Sequence, residues 1–353
     1  MSNALSPEPL SPEPLSPEPL SPEPLLVPDE DAPPLVRLRR LHLEVTNRCN
    51  SVCETCVRTT DPDPDRDLGL AEIARIVELP GLESVALQVN GEPLLHRELE
   101  AIIALIHGRG VRVELNTNAI GLHEQRSRAL IAAGLDQLNI SLDGATTETY
   151  RLLRGVDALA KVLRNAEGFV RERGAEPRTE LWAWMTVSRH NIGELPALVE
   201  IAARVGFDGL YLQRLVFYGK GLARDEDSLH GRLRPEHEEG IDRAVTRAAA
   251  LGLRLSASGG HSVRDMLSAH PDPEPARACR RPSEGAVVMA NGDVVPCCIS
   301  TFVAPRETIT MGNVLDSGWR EVWSGGTYAR FRAGLRRDEI PECCRQCGVR
   351  WSL

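Results

Sequence analysis

The nine cysteines of this 353-residue chain fall into two groups, and their spacing is the first sign of chemistry. Three lie near the start and six lie in the last 75 residues: Cys49, Cys53 and Cys56, then Cys279, Cys297, Cys298, Cys343, Cys344 and Cys347. The 222 residues between the groups contain none. Nine is odd, and the N-terminus lacks an export signal, so a disulfide framework is disfavoured. Two thiolate groups in a chain expected to be cytoplasmic favour two metal sites.

The first group, Cys49-x3-Cys53-x2-Cys56, can aim three sulfurs at one metal centre from a single short loop. Three ligands leave one position open on a cluster with four iron atoms. A structural zinc site would need a fourth cysteine or histidine, and the nearest histidine, His42, precedes the group on a predicted strand. The spacing therefore favours an open [4Fe–4S] cluster over zinc.

The second group is spaced Cys279-x17-Cys297-x46-Cys344-x2-Cys347. Asn291-Gly292 between apolar residues is a hairpin signal, so residues 287–297 are predicted to form a β-hairpin that carries Cys297 at its end. Four thiolates fit either a second [4Fe–4S] cluster or a four-cysteine zinc site.

Two cysteines, Cys298 and Cys343, remain outside this pattern, and each adjoins a proposed ligand. Both can be explained as small buried residues that fill space in the core. Either could instead replace its neighbour as a ligand, or act as a catalytic residue that donates a hydrogen atom.

Apolar patterns divide residues 38–213 into strands that alternate with helices. The predicted strands are 41–45, 84–89, 111–115, 137–142, 180–187 and 209–213, and the predicted helices are 70–79, 98–107, 124–133, 158–173 and 194–205. Such alternation is typical of parallel β/α units joined by right-handed crossovers. Six units are fewer than the eight of a closed barrel, so we predict an α/β fold, a partial (β/α)6 barrel with a small C-terminal iron–sulfur domain.

Polar motifs follow four consecutive predicted strands: Thr46-Asn47-Arg48-Cys49, Asn90-Gly91-Glu92-Pro93, Asn116-Thr117-Asn118 and Ser141-Leu142-Asp143-Gly144. In parallel β/α barrels the active site forms at the C-terminal ends of the strands. These motifs are therefore predicted to meet around the first cysteine loop.

A CxxxCxxC loop after the first strand and a GEP motif after the second make the chain resemble the radical S-adenosylmethionine (SAM) superfamily over residues 38–213. The resemblance implies that SAM binds the open iron and is cleaved reductively to a 5′-deoxyadenosyl radical. That radical takes hydrogen from a substrate C–H bond, while protein groups position the reactants.

The resemblance also implies how this chain would hold the amino-acid part of SAM. Glu92 would pair with the ammonium group, and Gly91 would let its backbone approach closely. Arg154 would bind the carboxylate. A solvated turn carboxylate and a surface arginine are the alternative explanations.

The resemblance carries less weight at other positions. It implies that Asn118, Ser141 and Asp143 hydrogen-bond the ribose hydroxyls, but Asn and Asp at strand ends are equally good turn formers. Two residues depart from the family pattern. Thr55 replaces a residue that is often large and apolar, and Asn90 replaces a frequent glycine.

The second cysteine group resembles the SPASM/twitch extensions of radical SAM enzymes. The full SPASM pattern has further cysteines after its CxxC pair and binds two auxiliary clusters. Because the sequence continues for only six residues after Cys347, we expect the shorter twitch form. It implies one auxiliary [4Fe–4S] cluster held by Cys279, Cys297, Cys344 and Cys347.

Composition separates residues 1–35 from the rest of the chain. SPEPL occurs four times between Ser6 and Leu25, and this segment has seven acidic residues and no basic ones. We predict a disordered acidic tail there, a radical SAM core over 36–250, and a linker with an auxiliary-cluster domain over 251–353. The net charge of −9 disfavours nucleic-acid binding, and no apolar stretch is long enough to cross a membrane.

Hydrogen abstraction beside a second cluster predicts a net oxidation, because that cluster can accept an electron from the substrate radical. We expect a natural-product small molecule as substrate, since no folded N-terminal domain that would grip a leader peptide is evident. One alternative is a maturase that oxidises, cross-links or epimerises a ribosomal peptide. Another is a non-catalytic iron–sulfur protein for electron transfer or binding. A reductant such as flavodoxin or ferredoxin is the expected partner.

Overall fold

The residues described in the computed structural model are 38–59, 64–174, 178–259, 262–268, 275–337, 339–345 and 347. The predicted acidic tail, residues 1–35, lies outside them. Within the described part of the chain, no helix is both long enough and apolar enough to cross a membrane.

One sheet organises the described residues. Its strands are β1 (Arg40–Leu43), β2 (Ser84–Leu87), β3 (Arg112–Thr117), β4 (Gln137–Ser141), β5 (Glu180–Val187), β6 (Gly209–Arg214), β7 (Arg254–Ala257), β8 (Gly285–Val288), β9 (Asp293–Val295) and β10 (Gly312–Asn313). They lie in the order β10-β9-β8-β1-β2-β3-β4-β5-β6-β7. Every neighbouring pair from β8 through β1 to β7 is parallel, whereas β9 pairs antiparallel with β8 and β10. The predicted α/β partial barrel is confirmed.

Most of the helices contribute side chains to the hydrophobic core that lies on the apolar face of this sheet. The helices are α1 (Leu70–Ile76), α2 (Leu99–His107), α3 (Glu124–Ala132), α4 (Thr147–Arg154), α5 (Leu159–Arg173), α6 (Leu195–Val205), α7 (Pro235–Leu251), α8 (Val263–Leu267), α9 (Arg281–Glu284), α10 (Ser300–Val303), α11 (Arg306–Ile309), α12 (Val314–Ser324), α13 (Gly326–Arg336) and α14 (Glu342–Arg345).

Alternation along the strands separates an apolar face from a polar one, because successive side chains point to opposite sides of a sheet. In β3, Val113 and Leu115 are fully buried in the core beneath the helices. Glu114 and Asn116, between and after them, line a cavity inside the barrel. The strands therefore present polar groups to the barrel interior.

The sheet continues beyond the six predicted strands. Helix α7 leads into β7, a seventh strand that pairs in parallel with β6. It begins at Arg254, beyond the core boundary predicted at residue 250. Its residues, Arg254-Leu255-Ser256-Ala257, alternate polar and apolar side chains over the minimum length that marks a strand, and this strand was not predicted.

The predicted hairpin at residues 287–297 is confirmed. β8 and β9 are antiparallel, and Gly292 adopts a φ of +90° in the turn between them. The other edge of β8 pairs in parallel with β1, where Gly285 lies opposite Arg40. The C-terminal region therefore extends the barrel sheet itself, which no local sequence pattern indicates.

Gly292→Ala is expected to lower the free energy of unfolding by about 2–3 kcal/mol. Alanine disfavours a φ of +90°, and its methyl group would lie 2.7 Å from Oδ1 of Asn313. Gly318→Ala is the matched control, since Gly318 has a φ of +76° but no described atom within 4 Å of an added β-carbon. We expect it to lose about 1 kcal/mol in chemical denaturation. Equal losses would contradict the crowded turn.

Candidate active site

The first cysteine group lies on the loop that follows β1. Burial raises the pKa of the Cys49, Cys53 and Cys56 thiols, that of Cys56 to about 11, and Cys53 also opposes the ionisation of the other two. The structure thus brings these three predicted ligands close together, as neutral thiols that must lose a proton before they bind iron. Among the described residues, no three His, Cys, Asp or Glu side chains meet tightly enough to hold a single ion. In a [4Fe–4S] cluster, by contrast, each thiolate binds a different iron atom.

The loop that follows β2, residues Asn90–Pro93, is clamped against the cysteine loop. The Glu92 amide donates a hydrogen bond to the Arg48 carbonyl oxygen (N–O 2.8 Å). A β-carbon at Gly91 would overlap the carbonyl oxygen of Thr46. Glycine is therefore required at position 91, and the close approach that it permits is between two protein loops.

The Glu92 side chain joins the second and third strand ends. One carboxylate oxygen accepts hydrogen bonds from the Leu94 amide (3.0 Å) and the Thr117 hydroxyl (2.6 Å), and the other accepts from the Asn118 amide (2.7 Å). Burial raises the pKa of Glu92, although these donors oppose the change. A carboxylate has about four acceptor sites, so three bonds leave room for one more donor.

Asn118 holds the cysteine loop from the third strand end. Its amide nitrogen donates to Oδ1 of Asn50 (2.7 Å) and lies 3.2 Å from Oγ of Ser51, both between the first two cysteines. Its side-chain oxygen accepts from the Ile120 amide (3.0 Å). Asn118 is thus placed as a brace for the loop.

Arg154 lies near both Asp143 and Cys53. Its Nη1 is 3.1 Å from Oδ2 of Asp143, whose other oxygen accepts from the Thr186 amide (2.7 Å). Burial would lower the pKa of Arg154, but Cys53 and Asp143 outweigh burial and raise it. Its Nε is buried without a hydrogen-bond partner among the described residues. Ser141, the last residue of β4, is half-buried and precedes Asp143 by two residues in the sequence.

Helix α4 closes over the cysteine loop and is not among the helices predicted from the sequence. The Glu54 amide donates to the Leu153 carbonyl (3.0 Å), and a β-carbon at Gly155 would overlap the carbonyl oxygen of Val52. The capping residues are the signal that would have found the helix. The Thr146 hydroxyl accepts from an amide of the first turn, and Gly155 ends the helix with a φ of +67°.

Residues 215–223, which we call the bridging segment, contact both cysteine regions. The Leu222 amide donates to the carbonyl oxygen of Glu54 in the first cysteine loop (3.0 Å). The Tyr218 ring meets Phe302 of α10 edge-on, with 5.8 Å between the ring centroids. Burial, followed by the nearby thiols of the first group, raises the pKa of Tyr218 to about 12. The segment therefore links the barrel mouth to the C-terminal region.

Most of the C-terminal cysteines surround one small cavity of about 30 Å³. It is lined by Cys279, Cys297, Cys343, Cys344 and Cys347. All four predicted ligands are among these five. Cys343 is the fifth, with its sulfur 3.9 Å from that of Cys344. Cys298 lies elsewhere, on the wall of the barrel cavity.

The barrel cavity is much larger, about 670 Å³, and reaches the second cysteine region. Its polar and aromatic wall includes His42, Gln88, Asn116, Trp184, Tyr211 and Gln213. His42 hydrogen-bonds Gln88 (2.7 Å), and burial, aided by Arg281 and Arg40, lowers its pKa to about 4. His42 is therefore neutral at physiological pH.

A buried carboxylate, Glu44, joins the barrel mouth to the C-terminal hairpin. One oxygen accepts from the Asn90 amide (3.1 Å) and the other from the Ala290 amide (3.0 Å). Our sequence analysis missed this residue. Its signal in the sequence is an acidic residue between two apolar residues of the predicted strand, Leu43 and Val45. In the structure the residue is 2% exposed.

Comparisons with known proteins agree with this geometry. Residues 43–174 match the Radical SAM superfamily, and residues 279–348 match SPASM, an iron–sulfur cluster-binding domain. The tungsten-containing aldehyde ferredoxin oxidoreductase cofactor-modifying protein of Pyrococcus furiosus is 23% identical over 336 residues, covering 89% of this chain and 88% of that protein. PqqA peptide cyclase of Ruegeria pomeroyi is 28% identical over 318 residues, covering 86% and 78%.

The fold is also shared with a solved structure, that of Streptococcus suis SuiB bound to its precursor peptide SuiA. The TM-score is 0.69 at 17% sequence identity, over 90% of this chain and 71% of that one. The chain belongs to the radical SAM superfamily and carries a C-terminal SPASM domain. It is a radical SAM enzyme, which confirms the predicted class and excludes the non-catalytic alternative. How many auxiliary clusters it holds stays a prediction.

Gly91→Ala is expected to disrupt the first metal site, because the new methyl group must push the Thr46 carbonyl and the cysteine loop away from β2. Iron content after anaerobic reconstitution should fall by about half, the share of one of two clusters. Gly193→Ala is the control, since no described atom lies within 4 Å of its added β-carbon. Full iron content and normal SAM binding in Gly91→Ala would contradict the clamp.

Proposed function

We propose that this enzyme modifies a ribosomally made peptide by hydrogen abstraction, with a net oxidation. The observation that carries the proposal is the 670 Å³ cavity, which runs through the polar barrel interior to the wall formed by Cys297 and Cys298. A substrate side chain in this cavity would lie between the SAM site at the strand ends and the second cysteine region. Both redox partners of an oxidation would then be within reach.

The residues at the strand ends suit the cofactors of the family. Cys49, Cys53 and Cys56 would hold a [4Fe–4S] cluster with one open iron, and that cluster with SAM supplies the 5′-deoxyadenosyl radical. Glu92 has acceptor capacity left for the SAM ammonium group. Arg154 has an unpartnered Nε for its carboxylate.

The chain's own groups would position SAM and keep water out. Asp143 fixes the Arg154 guanidinium, and the net positive charge that Arg154 keeps beside Cys53 favours the thiolate form of that cysteine. Asn118 and the Gly91 clamp hold the cysteine loop. Asn118, Ser141 and Asp143 stay candidates for the ribose hydroxyls, after the rearrangement of side-chain bonds that SAM binding would require.

A peptide is favoured over the small molecule that we expected from the sequence. PqqA peptide cyclase is named for a peptide substrate, and SuiB was solved with a precursor peptide. The Pyrococcus furiosus relative is named for modifying a cofactor, so a small molecule stays the second candidate.

Mass spectrometry of candidate precursor peptides after anaerobic incubation with SAM and a reductant tests the proposal. Loss of two hydrogen atoms is expected, and flavodoxin or ferredoxin is the proposed physiological reductant.

Epimerisation is a second candidate reaction, and the position of Cys298 favours it. Its thiol lies on the wall of the barrel cavity, where it could return a hydrogen atom to a substrate radical. Cys343 lies in the small cavity with the proposed ligands, so its position suits a ligand better than a donor. If Cys298→Ala keeps both clusters and SAM cleavage but blocks uptake of one deuterium from D2O, epimerisation replaces oxidation.

Cys53→Ala is expected to abolish 5′-deoxyadenosine formation, because two thiolates cannot hold the open cluster securely. About half of the iron should remain, bound at the second cysteine site. Chromatography of the nucleoside products and an iron assay measure both effects. Production of 5′-deoxyadenosine at the parent rate would refute the assignment of the first site.

The double variant Cys344→Ala/Cys347→Ala removes two of the four proposed auxiliary ligands and should lose that cluster. SAM cleavage without substrate should persist, because the proposed SAM-binding residues lie on other elements. Turnover of the peptide should stop. If turnover persists, the second site has a structural role alone, and if SAM cleavage also stops, the C-terminal region is needed to complete the SAM site.

A further inference from the structure

Arg281 occupies a position shared by the two cavities. It is the first residue of α9, two residues after Cys279. Its side chain lines the small cavity among the proposed auxiliary ligands and also the wall of the barrel cavity. A residue that lines both cavities can link a change at the second cysteine site to a change in the barrel cavity.

The charged surroundings of Arg281 are unusual for a largely buried arginine. Two other largely buried arginines have carboxylate partners: Arg154 pairs with Asp143 and Arg173 with Asp208. For Arg281, no side-chain hydrogen bond or ion pair occurs with the described residues. The other ionisable residues that line the small cavity are all cysteines.

Arg281 shares its two cavities with cysteines of the second metal site and with Cys298. The proposed ligands Cys279, Cys297 and Cys347 line the small cavity with Arg281, and Cys298 lines the barrel cavity with it. On the side of the barrel cavity, burial lowers the pKa of His42, and the positive charge of Arg281 is the next cause. The guanidinium charge therefore lies close to ionisable groups in both cavities.

We propose that Arg281 is the counter-cation of the auxiliary cluster and raises its reduction potential. This inference rests on the auxiliary cluster of the proposed function. One-electron reduction adds one negative charge to a centre that four thiolates already make negative. A fixed positive charge at short range in a poorly solvated site stabilises the reduced form more than the oxidised form. Arg281 thereby favours electron uptake from the barrel cavity.

Arginine suits this role better than other basic residues. A guanidinium keeps its charge even when buried, whereas a buried lysine readily becomes neutral. The sulfurs of a cluster accept hydrogen bonds, and hydrogen bonds to sulfur also raise cluster potentials. With five N–H groups and no carboxylate partner, the Arg281 side chain can donate to the cluster sulfurs and still face the barrel cavity.

The test measures reduction potentials in the full-length protein with both clusters reconstituted. In redox titrations followed by electron paramagnetic resonance (EPR), added SAM perturbs the signal of the first cluster, which distinguishes it from the auxiliary one. Arg281→Gln is expected to shift the auxiliary potential to a more negative value and to leave the first cluster unchanged. Arg280→Gln is the matched control, because Arg280 lines the barrel cavity but not the small cavity.

An unchanged auxiliary potential in Arg281→Gln, with full iron content, would overturn the proposal. If Arg281→Gln loses the auxiliary cluster, Arg281→Lys decides. Retention of the cluster near the parent potential supports a requirement for charge, whereas its loss assigns Arg281 a packing role and overturns the proposal. A parent protein that cleaves SAM but shows no second EPR signal would refute the auxiliary cluster itself, and a parent that forms no 5′-deoxyadenosine would refute the proposed function.

Discussion

The cysteine loop can approach the second strand end because residue 91 has no side chain. With the Gly91 backbone against Thr46, the Glu92 amide reaches the loop and the Glu92 carboxylate reaches the third strand end. Asn118, α4 and the bridging segment then contact the same loop from the remaining sides. A loop of few residues with three ligands has little structure of its own, so its shape depends on these neighbours. Metal binding at this site is thus a property of the assembled barrel mouth.

The barrel reverses the usual arrangement of a packed β/α core. The apolar face of the sheet lies under the helices, while the inner face carries His42, Asn116 and Gln213 around open space. Polar groups there hydrogen-bond one another, as Gln88 does with His42. Such an interior suits radical chemistry, because it orients a substrate while limiting access of solvent to the reactive carbon.

The sequence allowed prediction of the features that have local signatures. Strands β1, β3 and β4 alternate apolar and polar residues, and the cysteine spacings and strand-end motifs are short. Long-range partners could not be predicted. Glu44 has amide partners 46 and 246 residues away, and Glu92 has partners after another strand. β7 has an alternation of just four residues, the weakest signal of a strand, and the pairing of β8 with β1 depends on where the completed chain returns. In the sequence, nothing distinguishes Arg281 from the other arginines, because its place between the two cavities is visible only in the structure.

The pairing of β1 with β8 also bears on the order in which the molecule forms. β1 is made before β8, and Gly285, which pairs with Arg40, follows it by 245 residues in the chain. Until then, one edge of β1 has unpaired amides and carbonyls next to the first cysteine loop. Contacts over such separations form slowly, since a long loop must close first. While the chain is being made, the first cysteine site is therefore accessible from an open edge of the sheet. Iron and sulfide delivered at that stage would reach the site before the C-terminal region closes the barrel.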